Sequence, residues 1–183
     1  YYRGSENKVL RRVCNAIKNK KINSIIQLTG DNPLIDPLVI DYVVNFYLSN
    51  YPKYDFVTNN NLFNITRPIP LGMILSVFKK KSILKVNELA NKKEHFEHTT
   101  LFFYSEGKNK FKIKNLKMPK KWCPNKIPRL TLDTQQDLIL IKKIYKKLKK
   151  INNFSLTDIL NIFKKNQSLL NINNKVEQKI PKI

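Results

Sequence analysis

Acidic residues are scarce in this chain: 13 Asp and Glu stand against 35 Lys and Arg over 183 residues, for a formal net charge of +22. Arginine is scarce as well. Only five occur (Arg3, Arg11, Arg12, Arg67 and Arg129), so the basic excess is almost entirely lysine. A basic face gains affinity for nucleic acid by releasing phosphate counterions, but bidentate reading of bases and phosphates favours arginine. Lysine, asparagine and isoleucine are used heavily along the whole chain, which marks a general usage preference rather than a built patch. Nucleic acid is therefore disfavoured as a partner. What the charge still supports is a positive field that draws in polyanionic small substrates such as nucleotides.

Cysteine is nearly absent. Cys14 and Cys123 are far apart and fit no paired spacing, so no disulfide framework or zinc motif is expected, and both suit a reduced compartment. Cys14 falls on the apolar face of a helix, and Cys123 lies in a Trp-Cys-Pro loop. The chain also lacks an apolar run long enough for a membrane span and a signal sequence at its front. The expectation is a soluble, cytoplasmic protein with no membrane partner. The chain opens on Tyr1 rather than Met, with its first residues already leading into a helix. An N-terminal piece is expected upstream of it.

What is present suffices for one domain, since 42% hydrophobic content fills a single core at this length. Residues 7–20 carry Val9, Leu10, Val13, Ala16 and Ile17 at helical spacing. "SIIQLTGD" then reads as a short buried strand feeding a loop, and "PLVIDYVVNFYLSN" returns to helical period behind Asp36 and Pro37, a cap and a first-turn proline. "YDFVTNN" is a strand entering a polar loop, "RPIPLGMILSVF" leads into an apolar strand, and residues 79–91 form a helix. "EHFEHTTLFFYSE" reads as one further helix, "KFKIKNL" and "IPRLTLDT" as strands, and residues 137–151 as a helix. Ser155 and Asp158 open a last helix with a capping-box pattern. There is no internal repeat. The alternation predicts an α/β domain over residues 1–166, with an open, mostly parallel sheet flanked by helices, and a loosely held tail over residues 167–183.

Two strands end in aspartate: Asp31 after "SIIQLTG" and Asp133 after "IPRLTL". Open α/β sheets collect ligands at the carboxyl ends of their strands. Carboxylates from two strands suit Mg2+, which keeps several waters and takes its other oxygens from substrate phosphates. Gly30 beside Asp31 lets the backbone approach a nucleotide closely. Either aspartate alone also has an ordinary alternative. Taken alone, "DNPLIDP" reads better as an Asx turn before a helix, and Asp133 with Thr134 as a helix cap. Composition and period do not choose between the two.

"RGSENKVLRR" (3–12), "LTGDNPLIDPLVID" (28–41), "FEHTTLFFY" (96–104) and "RLTLDTQQDLILIKKIY" (129–145) occur in an order that resembles the cytidylyltransferase family. That family includes acylneuraminate and 3-deoxy-manno-octulosonate cytidylyltransferases, and the resemblance is nearest to the spore coat polysaccharide type. The resemblance covers roughly residues 2–150. It implies a nucleotide-diphospho-sugar transferase (Rossmann-like) fold lacking its first strands, and transfer of CMP from CTP to an acidic or modified sugar with release of pyrophosphate. It further implies a Mg2+ cofactor held by Asp31 and Asp133 as catalytic residues, a nucleotide bound by Gly30, Asp31, Pro33 and Arg3, and substrate contacts from Arg67, Gly72 and His98. A homodimer is the expected assembly.

The chain departs from the family pattern in two places. The glycine- and basic-rich loop that wraps the triphosphate in relatives has no counterpart. Where relatives read Tyr-Pro-x-Gly-x-x-x-Glu-x-Phe, Pro70, Gly72 and Phe78 hold, but Leu71 and Ser76 replace expected acids. His95 and His98 with Glu94 and Glu97 lack the His-Glu-x-x-His spacing of a zinc site. The run Phe102, Phe103, Tyr104 suits a core or dimer interface better than a stacking platform for bases. Two other readings stand beside the transferase: an inactive or dimerising remnant of the fold, and a basic nucleic-acid-binding module.

Overall fold

The computed structural model describes residues 1–60, 69–149 and 153–178. Among these, four strands form one open sheet: β1 (Ser24–Gln27), β2 (Phe56–Thr58), β3 (Ser76–Lys79) and β4 (Ile113–Asn115), in the order β1-β3-β2-β4. Helices α1 (Val9–Ile17), α2 (Pro37–Ser49), α3 (Lys80–Leu89), α4 (Lys93–Glu97), α5 (Leu101–Tyr104), α6 (Gln135–Leu148) and α7 (Leu156–Lys165) flank it, with 3-10 turns at Lys120–Trp122 and Gln167–Asn171. No described helix is long and apolar enough to cross a membrane.

The α/β architecture and the open, flanked sheet are as the sequence indicates, but the expected mostly parallel pairing needs correction. β3 runs antiparallel to both neighbours, and only β2 and β4 pair in parallel. A parallel partner needs a crossover, usually a helix. Here β3 lies reversed beside β2, and the two are tied by Asn59, whose amide donates to Met73 O (2.7 Å) and whose oxygen accepts from Leu75 N (3.0 Å). β1, β2 and β4 still share one direction. Their carboxyl ends and the start of β3 therefore lie along one edge.

The strand alternation sorts the core into two layers. Phe56 and Phe78 are register partners on one face, their rings stacked at 4.8 Å, and pack with Leu10, Cys14, Ile83, Val86, Phe102 and Phe103. Val57 and Val77, one residue along, pack on the other face with α2, α6 and α7. The Phe102–Tyr104 run thus belongs to the core, and Cys14 is buried with burial raising its thiol to about 11.

Caps fix where the helices begin. Asp36, only 1% exposed, serves two of them: its Oδ1 accepts from Leu38 N (2.8 Å) at the start of α2, and its Oδ2 from Leu156 N (2.5 Å) at the start of α7. Ser155 and Asp158 form the expected reciprocal box, and Thr134 with Asp137 forms a second at α6.

Three elements differ from the sequence pattern. Residues 94–106 do not form one helix; α4 ends at Glu97, and α5 starts at Leu101. "IPRLTLDT" is extended but makes a single parallel bridge, Leu71 to Arg129, because its N–H groups are shared between two neighbours: Leu130 N donates to Leu71 O and Leu132 N to Asp31 O. The segment past Asn166 begins with a 3-10 turn that buries Leu169, and Asn173 is buried against Arg129 and Asp137.

Candidate active site

At the shared edge the strand register places a row of polar side chains: Gln27 opposite Ser76, Ser76 opposite Thr58, and Thr58 opposite Asn115. Above this row lies a cavity of about 440 Å³ walled by Gln27 at the end of β1, Thr29, Asp31 and Asn32 after it, Asn60 after β2, Leu71, Gly72 and Ile74 to Ser76 before and at the start of β3, Glu97 to Leu101, Thr131, and Val9 and Gln178. The break between α4 and α5 belongs to this wall. It lets Thr99 turn its hydroxyl onto Gln27 Oε1 (2.8 Å) and leaves His98 lining the cavity.

The loop after β1 is a compact turn. Asn32 N donates to Thr29 O (3.2 Å) and its amide to Thr29 Oγ1 (2.9 Å). Asp31 is tied to the 129–132 segment: its carbonyl accepts from Leu132 N (2.8 Å), and its Oδ2 accepts from Thr131 Oγ1 (3.1 Å). Its Oδ1 is buried and has no partner. A buried acceptor left unmade costs about 1–3 kcal/mol, so this oxygen is available to accept a hydrogen bond or coordinate a cation in the cavity wall.

Gly72, the other sequence candidate on this wall, adopts φ +92°. A Cβ there would sit 2.6 Å from Leu130 C and O, so glycine is required by the backbone of the 129–132 segment. Gly30 differs. No atom lies within 4 Å of where its Cβ would stand.

The structure brings Asp31, Gly72 and His98 together and leaves the other candidates elsewhere. Asp133 is exposed and ion-paired to Arg129, and it does not line the cavity. Its proximity to Asp31 is through the backbone, since Leu132 N bonds Asp31 O. Gly30 and Pro33 flank Asp31 in the chain without lining the cavity, and the Pro33 carbonyl accepts from Tyr145 Oη (2.7 Å). Arg3 is exposed beside the Tyr1 ring. Arg67 lies outside the described residues.

Arg129 is the centre of a separate ionic network. Its Nε donates to Asp137 Oδ1 (3.0 Å), and Asp137, with no exposed surface, also accepts from Asn173 (2.7 Å) and Thr134 N (3.0 Å). Burial pushes the Asp137 carboxyl upward, but the bonds from Asn173, Arg129, Asp133 N and Thr134 outweigh it and hold the group below its usual value. His95 is buried with Nε2 2.9 Å from Glu106 Oε2, and Lys92 is the chief cause holding Glu106 down to about 2. Among the described residues no three His, Cys, Asp or Glu side chains are grouped to hold a metal.

Gln27, Asn60, Thr99 and Thr131 escaped the sequence reading. Strand polarity gave the signal for the first two, each a polar residue at or just past the end of an apolar strand. Thr99 and Thr131 needed the fold.

An open, helix-flanked sheet with a polar cavity at its carboxyl edge is the arrangement in which α/β proteins take nucleotides and sugars. The chain belongs to the cytidylyltransferase family, whose model matches residues 1–175. The uncharacterized protein MJ1063 of Methanocaldococcus jannaschii is 34% identical over 178 residues, which cover 97% of this chain and 68% of that protein. The spore coat polysaccharide biosynthesis protein SpsF of Bacillus subtilis is 27% identical over 166 residues, covering 90% of this chain and 65% of SpsF. The structure of a cytidylyltransferase from Leptospira borgpetersenii serovar Hardjo-bovis superposes with a TM-score of 0.80 at 29% identity, over 97% of this chain and 70% of that one. The chain therefore spans about two thirds of the length of its curated relatives.

Proposed function

We propose that this chain serves a nucleotidyltransferase that moves CMP from CTP to a sugar hydroxyl during synthesis of a surface polysaccharide. The hydroxyl oxygen bonds to the α-phosphorus, the bond from that phosphorus to the bridging oxygen breaks, pyrophosphate leaves, and the hydroxyl proton is released to water. Membership of the cytidylyltransferase family supports the class of reaction, and similarity to SpsF supports the polysaccharide setting. The observation that carries the assignment to this cavity is Asp31, whose Oδ1 is buried there without a partner.

A Mg2+ ion fits the donor set in part. Asp31 offers a free, hard oxygen, and a Mg2+ site built from one carboxylate, waters and phosphates is ordinary. Asp133 is engaged by Arg129, so Asp31 is the residue assigned to hold the ion. When bound, Mg2+ neutralises charge on the triphosphate. Gly72 keeps the 129–132 segment against the cavity, Thr131 orients the Asp31 carboxylate, and His98 contacts the sugar.

The test is CTP-dependent pyrophosphate release by the full-length natural protein with Mg2+ and a broad panel of sugars. Activity that falls by about 100-fold or more in Asp31→Asn supports the reading. A folded protein that stays silent across the panel would refute it in favour of a remnant. Sedimentation of the same protein tests the expected homodimer.

A further inference from the structure

The lysines that crowd this chain leave one helix bare. Residues 22–52 contain neither Lys nor Arg, the longest such stretch in the chain, and α2 lies within it. Each other described helix of nine residues or more shows a basic side chain to solvent: Arg11 on α1, Lys85 on α3, Lys146 on α6 and Lys164 on α7. α2 shows none. Its solvent-facing positions include Leu38, Asp41, Tyr42, Asn45 and Leu48, at the i, i+3, i+4, i+7 and i+10 spacing of one helix face. Leu38 and Leu48 are 54% and 58% exposed, and exposed Tyr51 extends the row past the end of the helix.

This row is held rigidly. Asp36 caps the first turn of α2, and Asn50 Nδ2 donates to Phe46 O (2.8 Å) in the last. Tyr42 Oη donates to Lys117 O (3.2 Å) with its ring edge-on to Trp122 at 5.7 Å, and the Tyr51 ring meets Tyr47 edge-on at 5.9 Å. Apolar groups already fixed in place lose little freedom when a partner covers them, and a contiguous exposed apolar row marks an interaction surface.

Charge selects the partner. A second copy brings a net charge of +22, and two such bodies repel least where the facing helix carries no cation. The one charge on the row, Asp41, is of the sign that the lysines of a basic copy attract. An acidic partner or an anionic membrane would find no cation on α2 and would meet Asp41 instead. The run Phe102 to Tyr104, the other interface candidate in the sequence, is buried in the core and closed to a partner.

We infer that α2 is the surface through which two copies of this chain associate, as an isologous pair with α2 against α2 across a two-fold axis. The inference goes beyond the transferase reading and does not depend on it. A helix of this length spans about 20 Å, which puts the contact at the small end of specific interfaces and its dissociation constant at about 1–100 µM. Every side chain on a two-fold contact acts twice.

The experiment is sedimentation equilibrium of the full-length natural protein across the micromolar range, at low and high salt. The expected result is a monomer–dimer equilibrium that tightens as salt rises, because screening removes the repulsion between two basic bodies. Leu38→Lys and Leu48→Lys each place two cations in the contact and should weaken dimerisation by about 100-fold or more. Their melts should match wild type, since both side chains stand in solvent. Ile127→Lys, at an exposed apolar side chain off the row, should leave the dimer unchanged. A monomer throughout the range, the result if another part of the natural chain covers α2, would overturn the inference. A dimer that either folded lysine variant leaves intact would overturn it, as would one that dissociates as salt rises. Pyrophosphate release is read separately on the same samples, so failure of the transferase reading is distinguishable from failure of this one.

Discussion

Replacing Gly72 by alanine should damage stability and site together, through backbone contact rather than through loss of a ligand-binding group. The residue sits at φ +92°, a region that costs an L-residue about 1–2 kcal/mol. The added Cβ would also stand 2.6 Å from Leu130 C and O and 3.0 Å from Thr131 N, all main-chain atoms that cannot rotate away. The 129–132 segment must shift, straining the Leu130 N to Leu71 O bond (2.9 Å) and the Leu132 N to Asp31 O bond (2.8 Å). Adding the conformational cost to a displaced segment gives a destabilisation of about 3 kcal/mol. For a domain of this size that lowers Tm by about 6–12 °C. Circular dichroism melts and urea titrations of the wild type and Gly72→Ala read it directly. Gly30→Ala is the control. With open space at that position, stability should change by less than about 0.5 kcal/mol. A Gly72→Ala protein as stable as wild type would refute the reasoning.

Asp36→Ala should cost about 2–3 kcal/mol in urea unfolding, because one carboxylate caps α2 and bonds the first N–H of α7, and both N–H groups lose their partner together. Phe56→Ala should cost about 3–5 kcal/mol, since its ring fills the layer between Phe78 (4.8 Å) and Phe103 (5.0 Å). Asp55 and Asp137 both have carboxyls held below the usual value; burial raises each, but hydrogen bonds prevail, from Ser82 and Lys112 N at Asp55 and from Asn173 and Arg129 at Asp137. A depressed native value stabilises the fold above the ordinary carboxylate pKa and loses that contribution as pH falls through the native value. Stability should therefore decline below about pH 4. Asp137→Asn should flatten that acid limb in pH-dependent melts while lowering stability at pH 7.

Much of the frame was legible in the chain, and the reasons are local. Pro37 behind Asp36, and Ser155 three residues before Asp158, announce helix starts through side chains that bond the adjacent backbone. The reversal of β3 was not legible. It goes with Asn59 bonding Met73 and Leu75, contacts with no period in the sequence. The break at His98 to Thr100 was hidden by apolar residues that continue on both sides of it. At the site, the Gly-Asp ending of the β1 strand pointed to Asp31, and the structure sets that residue in the cavity wall. Asp133 has the same sequence signature but a different environment, because Arg129, four residues earlier, captures its carboxylate. Pairing of that kind needs coordinates. Asn60 carries no motif beyond its place just past an apolar strand, and its buried, unbonded oxygen in the cavity wall distinguishes it from the neighbouring asparagines.

The central claim is that the cavity at the carboxyl edge of β1 and β2 handles a CTP-derived phosphate through Asp31. The most direct measurement is pyrophosphate release from CTP by the full-length natural protein, wild type against Asp31→Asn, with melts confirming that both are folded. The account predicts Mg2+-dependent release that falls by about 100-fold or more in the variant. Undiminished release in folded Asp31→Asn would contradict it.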